Sequence, residues 1–142
     1  MGRRQAREKA LQTMFQIDVG KSDPEMALRS FAGDVAELVA DISVEDSAFT
    51  RNLVFGALQN LGNLDQIISN LSRDWDLGRM PNVDRNIMRL ALYEILHLPE
   101  IPPGASINEA VEMAKKFGGE DSGRFINGIL GKVAENLDAY RI

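Results

Sequence analysis

Residues 83–98 read "VDRNIMRLALYEILHL". The stretch has no glycine or proline, and its composition predicts a strongly apolar helix over about 82–98. On its C-terminal side, "PEIPPG" holds three of the chain's five prolines and predicts an extended loop. "ASINEAVEMAKKF" follows, with Ser106 three residues before Glu109, the spacing of a capping box that starts a helix. A last helix is expected from Asp121 or Ser122 to about Leu137. On the N-terminal side, "RDWDLGRMPN" reads as a linker containing Gly and Pro. The long apolar period of residues 44–72 breaks near Leu61-Gly62-Asn63, which predicts helices over about 45–60 and 63–72. Asp23-Pro24 marks a turn and the start of a helix over about 24–42, and residues 2–19 predict the first helix. No segment alternates apolar and polar residues with period two between turn signals. The expected fold class is therefore all-α: one domain over 1–142, with about seven helices packed around one core.

Composition narrows the chemistry. The length of 142 residues favours one domain with a real core. The chain has no cysteine, which excludes disulfides, thiolate metal sites and cysteine nucleophiles. Its single histidine, His97, speaks against a histidine-built metal site. No apolar run reaches the roughly 18 to 20 residues that span a bilayer, and "MGRRQAREKALQ" lacks the apolar core of a signal peptide. A cytoplasmic protein without cofactor or metal is expected. The net charge of −5 disfavours nonspecific nucleic-acid binding, so any such site must be a local basic patch.

Two helix ends carry the informative residues. On the first helix, Ala6, Ala10, Leu11, Met14, Phe15 and Ile17 form a broad apolar arc, with Phe15 at its rim. Arg3 and Arg7 fall on the same arc, and arginines are not buried unpaired. The first turns are therefore expected to project beyond the core and display Arg3, Arg4 and Arg7 together. A solvated, frayed end is the plainer alternative.

The second end is "GGEDSGRFINGILGKV", residues 118–133, which holds five glycines. Ile126, Ile129, Leu130, Val133 and Leu137 share the core face, with Phe125 at its edge; Arg124, Asn127, Gly128 and Gly131 lie on the far side. Glycine costs about 1 kcal/mol against alanine in a helix. Two readings stay open: a bare strip left for a partner, with Phe and Arg available to stack on unpaired bases, or a strip covered by another segment of the same chain. Catalytic patterns are weak. There is no phosphate-loop match, no G-x-G-x-x-G and no Ser/His/Asp set. Asp74 and Asp76 flank Trp75 in a linker, where carboxylates are usually solvated.

Three segments together resemble one family. "RRQAREKALQTMFQ" is similar to the R-x-x-A-R-E-x-A-x-Q-x-L-Y/F opening of the transcription antitermination factor NusB. "VDRNIMRLALYEIL" and then "IPPGASINEAVEMAKKFGGEDSGRFINGIL" resemble the family's central and C-terminal signature, in order. The likeness spans almost the whole chain. It implies an all-helical fold of two three-helix halves with an extra helix. It also implies a noncatalytic adaptor that binds boxA-type single-stranded RNA of ribosomal RNA leaders together with NusE, a small-subunit ribosomal protein. Other Nus factors and RNA polymerase are then reached indirectly, to promote read-through of terminators.

By the same resemblance, RNA contacts fall on Arg3, Arg4 and Arg7, and on Glu120, Asp121, Ser122, Arg124, Phe125 and Asn127. NusE is implied near Phe15 and Asp84. Leu71 stands where some relatives carry an aromatic, which removes one possible stacking contact. A homodimer that hides the arginine-rich surface stays open, as does a NusB-like domain associated with ribosomal RNA methyltransferases.

Overall fold

The structure is a computed structural model and describes residues 3–28, 44–72 and 80–141. Eight helices are present among the described residues: α1 (Arg3–Asp18), α2 (Pro24–Leu28), α3 (Val44–Gln59), α4 (Leu61–Leu71), α5 (Asn82–His97), α6 (Pro103–Phe117), α7 (Ser122–Glu135) and the four-residue α8 (Leu137–Tyr140). The all-α expectation holds. The expected helix over 24–42 lies beyond the described residues from 29 onward. Most of the expected linker, including Asp74, Trp75 and Asp76, also lies outside the described residues.

α5 is the axis of the fold. Asp84 and every residue from Asn86 to Leu96 are buried. A helix apolar on most faces needs neighbours all round, and α5 packs against α1, α3, α4, α6 and α7. On one side α1 packs on α2 and α3; on the other, α6 packs on α7. The polar groups that α5 takes inside are all but one matched. Arg89 forms a two-pronged pair with Asp65 at 2.7 and 2.8 Å, and the Tyr93 hydroxyl donates to Asn52 Oδ1 at 2.8 Å. Pairing of this kind is what makes buried polar groups tolerable.

Gly56 on α3 faces the Tyr93 ring so closely that a Cβ there would overlap it. This glycine is one that lets two helices approach.

Three boundaries differ from expectation. α6 starts at Pro103, three residues before the expected cap, because proline is well suited to the first helical position. Ser106 is therefore an interior residue at 1% exposure. Its hydroxyl donates to Glu94 Oε1 at 3.0 Å, while Glu109 pairs with Arg4, so no capping box forms. The break between α3 and α4 falls at Asn60, whose side chain donates to the Gly56 carbonyl at 2.8 Å, and Gly62 stays helical. The short α8 adds a helix where one helix end was expected.

Candidate nucleic-acid interface

The start of α1 does not present three arginines. Arg3 is exposed, with its guanidinium 4.3 Å from the centre of the Phe49 ring. Arg4 is also exposed, and it donates to Glu109 on α6 at 2.9 and 2.7 Å. Those hydrogen bonds, more than any other cause, hold the Glu109 carboxyl below the usual glutamate range. Arg7 is the correction. It is 7% exposed and donates to both Glu94 carboxylate oxygens at 2.8 Å, with Glu109 3.9 Å away. The helical period had placed Arg7 on the buried arc correctly. What it could not supply was Glu94, 87 positions further along the chain, as the buried partner.

α7 carries the second cluster. Arg124, Asn127 and Gly128 are exposed, Phe125 is half-buried against the core, and Ile126, Ile129, Leu130 and Val133 are buried. A Cβ added at Gly128 or Gly131 would meet no atom within 4 Å. Among the described residues no segment covers the strip. Neither the Arg124 nor the Asn127 side chain has a hydrogen-bond or ion-pair partner among the described residues. Both border a groove of about 760 Å³ between α6 and α7, together with Asn108, Lys115, Gly119 and Gly123. Glu120 lines the same groove and is exposed.

Between the two clusters stands α6. A smaller hollow of about 280 Å³ separates α6 from α1 and is lined by Arg4, Glu8, Glu109 and Lys116. Lys115 lines both this hollow and the α6–α7 groove. Lys116 reaches Glu8 at 3.0 Å. Arg4, Lys115 and Arg124 thus follow one another across α6. The sequence reading passed over Lys115 and Lys116; the adjacent pair in "AKKF" was the available signal.

A third cavity, of about 500 Å³, lies between the starts of α5 and α7 and is walled by Pro81, Asp84, Gly119, Asp121, Ser122, Arg124 and Phe125. Ser122 Oγ accepts a hydrogen bond from the Gly119 amide at 2.9 Å, which shapes the turn before α7. Asp84 is only 5% exposed, and its Oδ1 has no hydrogen-bond partner among the described residues. Burial pushes its carboxyl above the usual aspartate range, and a hydrogen bond from Ser122 offsets part of that.

Phe15 and Asp84, expected to meet one protein partner, have different surroundings. Phe15 is 41% exposed and Val19, one turn on, is 44% exposed. The end of α1 is tied to the start of α5 through Asp18, which accepts from Arg85 at 2.6 Å and from Asn86 at 3.1 Å. Asp84 lines the cavity between the starts of α5 and α7.

A family model described as the NusB family matches residues 4–135. The chain belongs to the NusB family. This is a family of non-enzymatic RNA-binding antitermination factors. The transcription antitermination protein NusB of Pelotomaculum thermopropionicum is 52% identical over 141 residues, covering 99% of this chain and 94% of that protein. The solved structure of T. maritima NusB has a TM-score of 0.86 at 34% identity, covering 96% of this chain and 92% of that one. A crystal structure of antitermination factors NusB and NusE in complex with dsRNA has a TM-score of 0.80 at 25% identity, covering 94% of this chain and 96% of that one.

Proposed function

We propose that this chain is a cytoplasmic antitermination adaptor that binds boxA-type single-stranded RNA of ribosomal RNA leaders together with NusE, and reaches other Nus factors and RNA polymerase through that complex. The observation that carries the reading is the bare strip of α7 beside Arg124 and Asn127, polar side chains with no partner of their own among the described residues. Arginine neutralises phosphate, and a strip without side chains admits a ribose-phosphate backbone at close range.

Arg3 and Arg4 at one end, and Arg124, Phe125 and Asn127 at the other, fit a strand running over α6 past Lys115. Glu120 and Asp121 are exposed acceptors beside it, and Ser122 shapes the turn. Arg7 supports the site from within, holding α1 on α5. The exposed pair Phe15 and Val19 is the apolar surface offered to NusE. The relative solved with NusE and RNA supports both partners.

The test is an RNA titration of Arg124→Ala with NusE present, at several salt concentrations. Loss of one phosphate contact should weaken binding about ten-fold and reduce the salt slope by about 1. An unchanged affinity and slope would remove Arg124 from the RNA path.

A further inference from the structure

We infer that Glu109 and Glu8 set the RNA selectivity of this chain, by holding Arg4 and Lys116 in internal ion pairs that a strand displaces only once it is anchored elsewhere on the surface. The inference deepens the RNA-binding reading and rests on it. Its starting point is a charge balance. The hollow between α1 and α6 is lined by three cations, Arg4, Lys115 and Lys116, and by three carboxylates, Glu8, Glu109 and Glu112. Each of these cations is already engaged. Arg4 donates to the two Glu109 oxygens at 2.9 and 2.7 Å, Lys116 donates to the two Glu8 oxygens at 3.0 and 3.1 Å, and Lys115 approaches Glu112 at 3.5 Å. A passing polyanion therefore meets no net charge in this hollow.

The geometry also says which member of each pair yields. The side chains of Arg4 and Lys116 are each 60% exposed, whereas those of Glu109 and Glu8 are 16% and 18% exposed. The cations are the outer members, open to a phosphate, and the carboxylates are the inner ones. Glu109 also has a second cation, the buried Arg7 guanidinium at 3.9 Å, so it keeps a counter-charge when Arg4 leaves. Exchanging carboxylate for phosphate trades one anion for another at an exposed cation, so a free phosphate gains little by it. A phosphate carried by a strand already anchored acts at a far higher effective concentration and does displace the carboxylate. Lys115 lines both this hollow and the groove beside α7, so a strand anchored in that groove is within reach. A strand without the anchoring sequence meets a neutral surface and dissociates. The carboxylates thus act against the wrong ligand more than against the right one, which is how specificity is built from a repulsive element.

The experiment compares a boxA-type strand with a scrambled strand of the same length and composition, each titrated against the full chain with NusE at several salt concentrations. The variants are Glu109→Gln, Glu8→Gln and, as a control for the loss of one negative charge, Glu135→Gln at the exposed end of α7. Freeing one cation for one phosphate of a single strand should steepen the salt slope by about 0.7, which is about five-fold in affinity at 0.1 M salt. That gain is expected for the scrambled strand with Glu109→Gln and with Glu8→Gln. The boxA-type strand should gain less, so the ratio of the two affinities falls. Adding Arg4→Ala to Glu109→Gln should abolish the gain. Should Glu109→Gln unfold through its place beside Arg7, Glu8→Gln gives the same reading by itself.

An equal rise for both strands, a rise no larger than that of Glu135→Gln, or a gain that survives Arg4→Ala overturns the inference while leaving RNA binding, and so the broader reading, intact. A lower melting temperature for both glutamate variants with no gain for the scrambled strand also overturns it, and assigns the two pairs to holding α1 on α6. Absence of binding to either strand by the wild-type complex overturns both readings together.

Discussion

Replacing Arg7 by alanine tests whether the arginines of α1 act as a set. In the structure Arg7 serves Glu94, which is 2% exposed and otherwise receives only the Ser106 hydroxyl. Arg7→Ala therefore leaves a buried carboxylate with one neutral donor. Breaking a buried pair in this way costs about 3–5 kcal/mol. For a urea slope of about 2 kcal/mol per molar, the unfolding midpoint should fall by about 2 M. The double substitution Arg7→Met with Glu94→Leu removes both charges and should recover most of that loss, since an apolar replacement of a buried pair is often nearly neutral. The assay is urea unfolding followed by helical circular dichroism, with RNA binding measured on the folded fraction at several salt concentrations. A midpoint unchanged by Arg7→Ala, together with a shallower salt slope for RNA, would refute the reasoning and return Arg7 to the phosphate-contacting group.

Gly128→Leu places its side chain in open space, so helix propensity should raise stability by about 1 kcal/mol and the melting temperature by about 3 °C, while RNA binding falls. A lower melting temperature, or unaltered RNA binding, counts against an open strip on the RNA path. Asp84 predicts a pH dependence. Its folded pKa lies above the ordinary 3.8 because of burial, so the folded state holds this proton more tightly than the unfolded chain does. The cost of ionising it is absent below pH 3.8, grows as pH rises toward the raised value, and is complete above it. Asp84→Asn should thus be more stable than wild type at neutral pH and lose that advantage on acidification. A difference in melting temperature that stays constant with pH would contradict this. Asp18 and Glu109, whose folded values are lowered, contribute in the opposite sense in both proteins and cancel from the difference.

The apolar run of residues 83–98, without glycine or proline, was sufficient to predict the helix that became the axis. Helical period alone placed Ala6, Ala10, Leu11 and Met14 inside, put Phe15 at the rim, and set Gly128 and Gly131 opposite the core face of α7. These properties repeat every turn, so a local stretch of chain contains them. Three-dimensional proximity decided the rest. Arg7 looked like a displayed charge because its partner Glu94 is 87 residues away. Ser106 and Glu109 looked like a cap because their partners, Glu94 and Arg4, lie on other helices. Asp84 was legible as a charge in the first turn of a helix, but its burial at 5% exposure depends on what packs around the start of α5. Whether α7's glycines were bare or covered depended on where every other helix came to rest. Side-chain periodicity is a property of one helix, whereas the pairing and desolvation of a charge are properties of what packs against it.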